Sequence, residues 1–318
     1  MQFFDLVIIG GGVAGISAAV QAKESGINSV LIIEKEHELG GNLNQCIHSG
    51  YGVQVFGEDL TGPELVQKLI DNAIRLKIQF KLNTTVLDLS KDKTLTAVNS
   101  EDGVFQVNWK VLVYAAGCIE NTRNAIKIAG SEAAGIYTAG EVQKIINIDG
   151  FLPGKEVVVI GSEDLGLIMA GRVVIEGATV KAVIEKSPEV RGNKKNTEEN
   201  LEDFNIPLLL SHEVIKIKGN ARVEQVTVVR VDGNRAAIAG TEMDIACDTV
   251  IISVELVPKY DLLENAEIKA LGGVLTDCDG IFICGDASFI HKNADSIINE
   301  GKEAGIAAYE YLSEINEF

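Results

Sequence analysis

The segment from Phe4 to Glu34 restricts the fold more than any other part of the chain. Phe4-Asp5-Leu6-Val7-Ile8-Ile9 is a short apolar run that ends in Gly10-Gly11-Gly12-Val13-Ala14-Gly15. Small and apolar residues at helical spacing follow from Ile16 to Ser25. A second apolar run, Ser29-Val30-Leu31-Ile32-Ile33, then closes on Glu34. This order predicts a buried parallel strand, a glycine turn, a helix and a second strand, which together make a βαβ unit. In Gly10-x-Gly12-x-x-Gly15 the first glycine permits the tight turn and the second lets backbone approach a pyrophosphate. The third lets the helix pack closely on the strand. Val13 and Ala14 lie at the mouth of the helix, where unpaired N–H groups and the helix dipole offer positive charge to phosphates. Glu34 ends the second strand, in position to accept hydrogen bonds from an adenosine ribose. The glycine spacing alone is a weak signal; with both strands, the helix and the acid in register it is specific.

The same device occurs again. Glu156-Val157-Val158-Val159-Ile160 runs into Gly161-Ser162-Glu163-Asp164-Leu165-Gly166, a helical pattern extends to Glu176, and an apolar run from Thr179 to Ile184 closes on Glu185. Two such units predict an α/β chain with two Rossmann-like dinucleotide-binding domains. Between them, Gln79 to Val113 alternates apolar and polar residues around turn signals, which predicts a strand and an antiparallel β-meander. Pro207 to Val231, with a further strand near Glu242 to Cys247, repeats that excursion. Each domain is therefore expected to be a parallel sheet with a β-meander, the second inserted into the first. The expected boundaries are 1–116 and 248–318 for the outer domain and 117–247 for the inserted one. A length of 318 residues suits two domains, and 46% apolar residues suffice for their cores.

The formal net charge of −18, from 46 acids against 28 bases, repels nucleic acid and anionic lipid, so neither is expected as a partner. No apolar run approaches the roughly 18–20 residues that span a bilayer, and a cytoplasmic location is expected. Cys46, Cys118, Cys247, Cys278 and Cys284 are scattered, with no C-x-x-C pair and no zinc spacing, so no metal site is expected.

Further features carry a resemblance to a known family. Glu34-Lys35 is followed by the Gly40-Gly41 doublet and Asn42, and Asp279-Gly280-Ile281-Phe282-Ile283-Cys284-Gly285-Asp286 precedes a helical pattern over Asn293 to Tyr309. This arrangement resembles the two-dinucleotide-binding flavoproteins of the pyridine nucleotide-disulfide oxidoreductase superfamily. Val111 to Gly117 looks like the family's crossing strand and Val250 to Val254 like its return strand. The layout is similar to thioredoxin reductase-like members, in which a pyridine-nucleotide domain is inserted into an FAD domain.

The resemblance implies FAD as cofactor. Its contacts would be Gly10, Gly12, Val13, Ala14, Gly15, Glu34, Lys35, Gly41, Asn42, Val86, Ala116, Gly117, Gly285, Asp286 and Ala294. Asp286 would bond the ribityl chain, and the C-terminal helix would point its N-terminus at the flavin pyrimidine. Residues 41–52, 165–170 and 202–207 further resemble a subgroup that lacks the redox C-x-x-C and is often encoded with glycerol-3-phosphate dehydrogenases.

Two positions depart from the family pattern. Glu163 stands where the middle glycine of the second turn belongs. A carboxylate fixed about 4 Å from one phosphate charge costs about 4 kcal/mol at an effective dielectric near 20, and about 1 in water. NAD(H) is thus an open second ligand, with Gly161, Glu163, Gly166 and Glu185 as its contacts; Glu185 favours NAD over NADP. Glu255 stands where the subgroup has glycine.

No side-chain nucleophile is needed for hydride transfer at a flavin. Cys46 and His48, after the glycine doublet, are the weak candidates for a reactive pair, with structural roles the plainer reading. His291 has the same standing. Three functions remain open: an NADH-favouring FAD oxidoreductase passing electrons to or from a small-molecule or protein partner without a dithiol; an FAD electron-transfer subunit of a partner dehydrogenase; and a non-catalytic flavin-binding redox sensor. A homodimer is compatible with each.

Overall fold

The computed structural model describes residues 2–316. The chain divides into two compact units, one formed by the residues up to Ile119 together with those from Val257 onward, the other by Glu120–Leu256.

In the first unit, β1 (Gln2–Ile9) leads through the glycine turn into α1 (Val13–Ser25) and then β2 (Val30–Ile33). Leu6, Val7 and Ile8 are fully buried, and all four residues of β2 are buried, as a parallel strand covered on both faces requires. β3 (Gly103–Tyr114) is the long strand of the meander. Its first half pairs antiparallel with Thr94–Asn99, which pairs with Thr85–Ser90. Its second half runs parallel to β1 and to the strand Ile281–Ile283. The parallel part of the sheet therefore has the order Ile281–Ile283, β3, β1, β2, Gln79–Lys81.

The far end of the chain returns to this unit as the helix Ala294–Asn316. A Cβ on Gly301 would lie 2.4 Å from the Ala14 carbonyl oxygen, and one on Gly305 2.5 Å from that of Ala18. The glycines at these two positions thus let the C-terminal helix lie directly on α1, where only small side chains fit between the backbones. Asp5 ties β1 to both neighbouring strands: its carboxylate accepts from the Ser29 backbone N–H at 3.1 Å and hydroxyl at 2.9 Å, and Lys110 stands 2.9 Å away.

The second unit repeats the plan with β4 (Glu156–Ile160), α2 (Asp164–Ile175), β5 (Thr179–Glu185) and β6 (Thr249–Ile252). Its parallel sheet has the order Ile136–Thr138, β6, β4, β5, Leu208–Leu210. The antiparallel excursion is His212–Gly219, Val223–Arg230 and Met243–Ala246. The α/β architecture of two Rossmann-like units, each with a meander and the second inserted, is the one read from the sequence.

The return boundary needs correction. Placing 248–318 in the outer domain assigned Val250 to Val254 to it, but β6 is hydrogen-bonded between β4 and Ile136–Thr138 inside the second sheet. The chain leaves the second unit after Leu256, and enters it after Ile119 rather than after Ala116. Thr249, Val250, Ile251 and Ile252 are all buried there, and an apolar strand reads alike in either sheet.

Candidate functional site

In the first unit the site grows from the turn between β1 and α1. Gly10 has φ of +107°, and a Cβ there would lie 2.3 Å from the Ala115 carbonyl oxygen, so the turn presses against the end of β3, beside Ala116. A Cβ on Gly15 would lie 2.0 Å from the Gly10 oxygen, which fixes helix against turn. Gly12 is different. It caps α1 with φ −71° and ψ 179°, no side chain caps the helix, its first turn holds no acid, and a Cβ on Gly12 would meet nothing within 4 Å. At Gly12 the mouth of the helix has room in front of it and no acid offsets its dipole, which suits a diphosphate.

Of the other expected residues, Glu34, Gly41 and Gly285 contact this turn or the start of its helix. Glu34, 6% exposed, accepts the Gly11 N–H at 2.6 Å and the Glu36 N–H at 2.8 Å, so the turn itself holds its carboxylate. The doublet lies on the turn: the Gly40 N–H donates to the Gly11 oxygen at 2.8 Å, and a Cβ on Gly41 would come within 3.2 Å of the Gly12 Cα. Asn42 follows in the short helix Gly41–Gln45, while Lys35 is exposed and 3.4 Å from Glu36. Gly117 accepts the Lys259 N–H at its oxygen, and Val86 lies on the meander strand that follows Thr84, whose N–H donates to the Glu34 oxygen. A Cβ on Gly285 would lie 2.6 Å from the Ala14 Cβ, bringing Asp286 to the helix mouth, and Ala294 is buried at the start of the C-terminal helix.

Three residues beneath Asp286 were not legible as a group. The His291 backbone N–H donates to Asp286 Oδ1 at 2.9 Å, and its Nδ1 stands 3.2 Å from the same oxygen. His291 Nε2 faces Glu300 Oε2 at 3.3 Å. That Glu300 oxygen also accepts the Gly285 N–H at 2.6 Å and the Ser288 hydroxyl at 2.7 Å. Burial holds the Glu300 carboxyl above its ordinary range despite these donors. Cys118 directs its thiol at Asp286 Oδ2, 3.8 Å away.

Cys46 and His48 are joined through a residue that sequence reading missed. The Tyr51 hydroxyl lies 2.9 Å from His48 Nε2, and burial and the Cys46 thiol together push the phenol far above its ordinary range. The Cys46 sulfur also points at the Asn42 oxygen at 3.4 Å. A phenol stands in contact with both members of the supposed pair.

The second unit carries its own cavity, of about 310 Å³, whose walls include Gly161, Glu163, Glu185, Arg191, Arg235 and Glu255. Gly161 has φ +93° and abuts the Ser253 oxygen; Gly166 packs on the Ser253 side chain. Glu185, 4% exposed, accepts the Ser162 N–H at 2.9 Å and the Ser187 N–H at 2.7 Å, the same bonding pattern as Glu34. Glu163 caps α2 with φ −66° and ψ 159°, so it takes the Gly12 position without backbone strain. Its carboxylate is paired with Arg191 Nε at 2.9 Å. Asp164, also at the helix start, accepts from the Asn193 backbone and from the Asn193 and Asn196 amides, each at 2.8 Å. Both acids at this helix mouth are thus engaged by the 191–196 loop. Glu255 is exposed, and its backbone oxygen accepts the Asn121 N–H. Nothing in the structure explains its side chain.

Among the described residues no helix is long and apolar enough to cross a membrane, and no group of acids, histidines and cysteines is arranged to hold a metal. A sequence model of the family described as pyridine nucleotide-disulphide oxidoreductase matches residues 4–305. The chain is 24% identical to thioredoxin reductase of Treponema pallidum, covering 98% of this chain and 97% of that one. It is also 24% identical to a 34.2 kDa protein in the rubredoxin operon of Clostridium pasteurianum, with 97% of each covered. Its fold is similar to that of Lactococcus lactis thioredoxin reductase in the FR conformation, with a TM-score of 0.79, 22% identity, and 98% and 99% of the two chains covered.

Proposed function

The chain belongs to the pyridine nucleotide-disulphide oxidoreductase family and is an FAD-dependent pyridine-nucleotide oxidoreductase; from this we propose that it passes electrons between NAD(H) and a small-molecule or protein partner without a dithiol relay. The observation that carries this reading is the pairing of two like-built nucleotide turns with the absence of any C-x-x-C. Cys247 is the one cysteine in the sequence between Glu120 and Leu256, so the inserted unit cannot form a dithiol of its own. FAD, when bound, supplies the hydride acceptor and donor, so no side-chain nucleophile is required.

On this reading the chain's own residues bind and orient. The α1 mouth at Gly12, Val13 and Ala14 holds the diphosphate of FAD, Glu34 its ribose, and Asp286 its ribityl chain. The pyridine nucleotide lies in the cavity of the second unit, with its ribose at Glu185. That carboxylate favours a free 2′-hydroxyl, hence NAD(H) over its phosphorylated form. Glu163 does not forbid this site, because Arg191 draws its charge aside.

Anaerobic titration tests the reading: NADH should bleach the bound flavin band saturably, and thioredoxin should not reoxidise it. Reduction by dithionite but not by NADH would refute the nicotinamide site. It would favour a second reading, an electron-transfer subunit working with a partner dehydrogenase. The two acids at the mouth of α2, and the likeness of residues 41–52, 165–170 and 202–207 to proteins often encoded with glycerol-3-phosphate dehydrogenases, favour that alternative. Copurification of a partner, with activity only in its presence, would establish it.

A further inference from the structure

The imidazole of His291 lies between two carboxylates, with a side chain only 4% exposed. One ring nitrogen faces Asp286 Oδ1 at 3.2 Å and the other Glu300 Oε2 at 3.3 Å. The Phe289 ring stacks on it at 4.1 Å and 29°, and is itself 51% exposed, so it shields the imidazole on one face. Glu300 in turn is tied to Gly285 and Ser288, so the ring is braced against the same turn that carries Asp286. Oδ1 of Asp286 therefore faces two nitrogens of one residue, backbone and ring, while Oδ2 faces the Cys118 thiol at a long 3.8 Å. A thiol is a weak donor, readily displaced by a hydroxyl.

We propose that His291 is a positioning residue for FAD: braced on Glu300, it holds Oδ1 of Asp286 and so commits Oδ2 to the cofactor's hydroxyls. The proposal rests on the reading that Asp286 holds FAD. An aspartate without this brace would sample other rotamers and give up part of its binding contribution to ordering. A phenylalanine at 291 keeps a ring against Phe289 and the backbone N–H to Oδ1 but loses the side-chain contacts to Asp286 and Glu300. A glutamine carries its N–H donors on a single nitrogen, which can face Asp286 or Glu300 but not both as the two ring nitrogens do.

The test is a dilution series of the holoprotein, with release of FAD followed by its fluorescence, in the parent, His291→Phe, His291→Gln, Asp286→Asn and the double variant His291→Phe/Asp286→Asn. In His291→Phe the dissociation constant should rise about tenfold, the factor expected from one charge-assisted hydrogen bond, with His291→Gln in between. In the Asp286→Asn background the same change should cost less than about twofold, because His291 acts through that carboxylate. A parent-like constant in His291→Phe overturns the proposal, as does an equal cost in both backgrounds, which would mark a merely structural role. Should His291→Phe fail to fold, His291→Gln and its double variant with Asp286→Asn carry the same comparison. A parent that takes up no FAD, or an Asp286→Asn variant that binds it unchanged, instead overturns the reading beneath.

Discussion

The Glu163–Arg191 pair makes a quantitative prediction about NADH. Were the carboxylate aimed at a phosphate about 4 Å away, the repulsion would be about 4 kcal/mol at an effective dielectric near 20. The structure turns it toward Arg191 instead, with a 2.9 Å contact. A carboxylate displaced to about 8 Å repels by about 2 kcal/mol at that dielectric, and a guanidinium at a similar distance attracts by as much, so the pair nearly cancels. The side chains are 36% and 45% exposed, so solvent screening shrinks both figures further. Glu163→Gly should therefore change NADH affinity by no more than about threefold. Arg191→Ala, which leaves the carboxylate unpaired, should weaken it by about tenfold, and Glu163→Gly/Arg191→Ala should recover most of that loss. Calorimetric titration of each holoenzyme with NAD⁺, and anaerobic titration with NADH, give the constants. A gain of about thirtyfold or more in Glu163→Gly would refute the reasoning, since it would place the carboxylate at the phosphates. A silent Arg191→Ala would refute it from the other side.

Other predictions follow from the same geometry. Gly12→Ala should cost the flavin-free protein no more than about 1 kcal/mol of stability at the helix cap, since its Cβ meets no protein atom, yet should weaken FAD binding by about tenfold or more; unchanged FAD retention would move the diphosphate elsewhere. Gly15→Ala should instead destabilise the fold by about 2 kcal/mol or more, because its Cβ falls on the Gly10 oxygen, and denaturant unfolding would show it. For Asp5, burial alone would raise the carboxyl, but Lys110 and Ser29 hold it below the usual range. Its contribution, about 1 kcal/mol after screening, should be fully present above the unfolded value near 3.9 and fade as pH falls below it. The gap between parent and Asp5→Asn, measured by urea unfolding, should be flat from pH 7 to about 5 and shrink below about 4. A gap that grows on acidification would reverse the assignment.

The strands, the turns and the nesting of the two units were legible because each follows from local constraints. Val7-Ile8-Ile9 and Val157-Val158-Val159 have no polar face, which marks them as sheet interior, and glycine spacing encodes a backbone demand that no other residue meets. What sequence left open depends on contacts between distant segments. The direction of the Glu163 side chain is set by Arg191, which enters from a loop beyond the next strand. The His291 brace depends on how the C-terminal helix is seated against the turn at Gly285, because only that seating brings Glu300 to the imidazole. Tyr51 was invisible as the link between Cys46 and His48 because a tyrosine on a short strand carries no signal of its own. The return boundary failed for a related reason: Val250-Ile251-Ile252 is apolar enough for either sheet, and its hydrogen bonds alone assign it.

The two nucleotide turns use one backbone and differ in how much charge they leave uncovered. At both, an acid at the end of the second strand accepts a backbone N–H from the turn and another from two residues further along, through Gly11 and Glu36 at Glu34 and through Ser162 and Ser187 at Glu185. At both, the residue before the helix has extended backbone angles that any side chain can adopt. The chain itself thus does not demand glycine at position 12, where a side chain would instead occupy the space in front of the helix, and position 163 admits glutamate without strain. α1 begins with no acid and is covered by the C-terminal helix through Gly301 and Gly305, so its positive end is left available to one closely held anion. α2 begins with Glu163 and Asp164, and the 191–196 loop offsets both. An anion arriving there meets a nearly neutral mouth and is attracted less strongly. A resident cofactor calls for the first arrangement. The second fits a nucleotide that must leave after every hydride it brings.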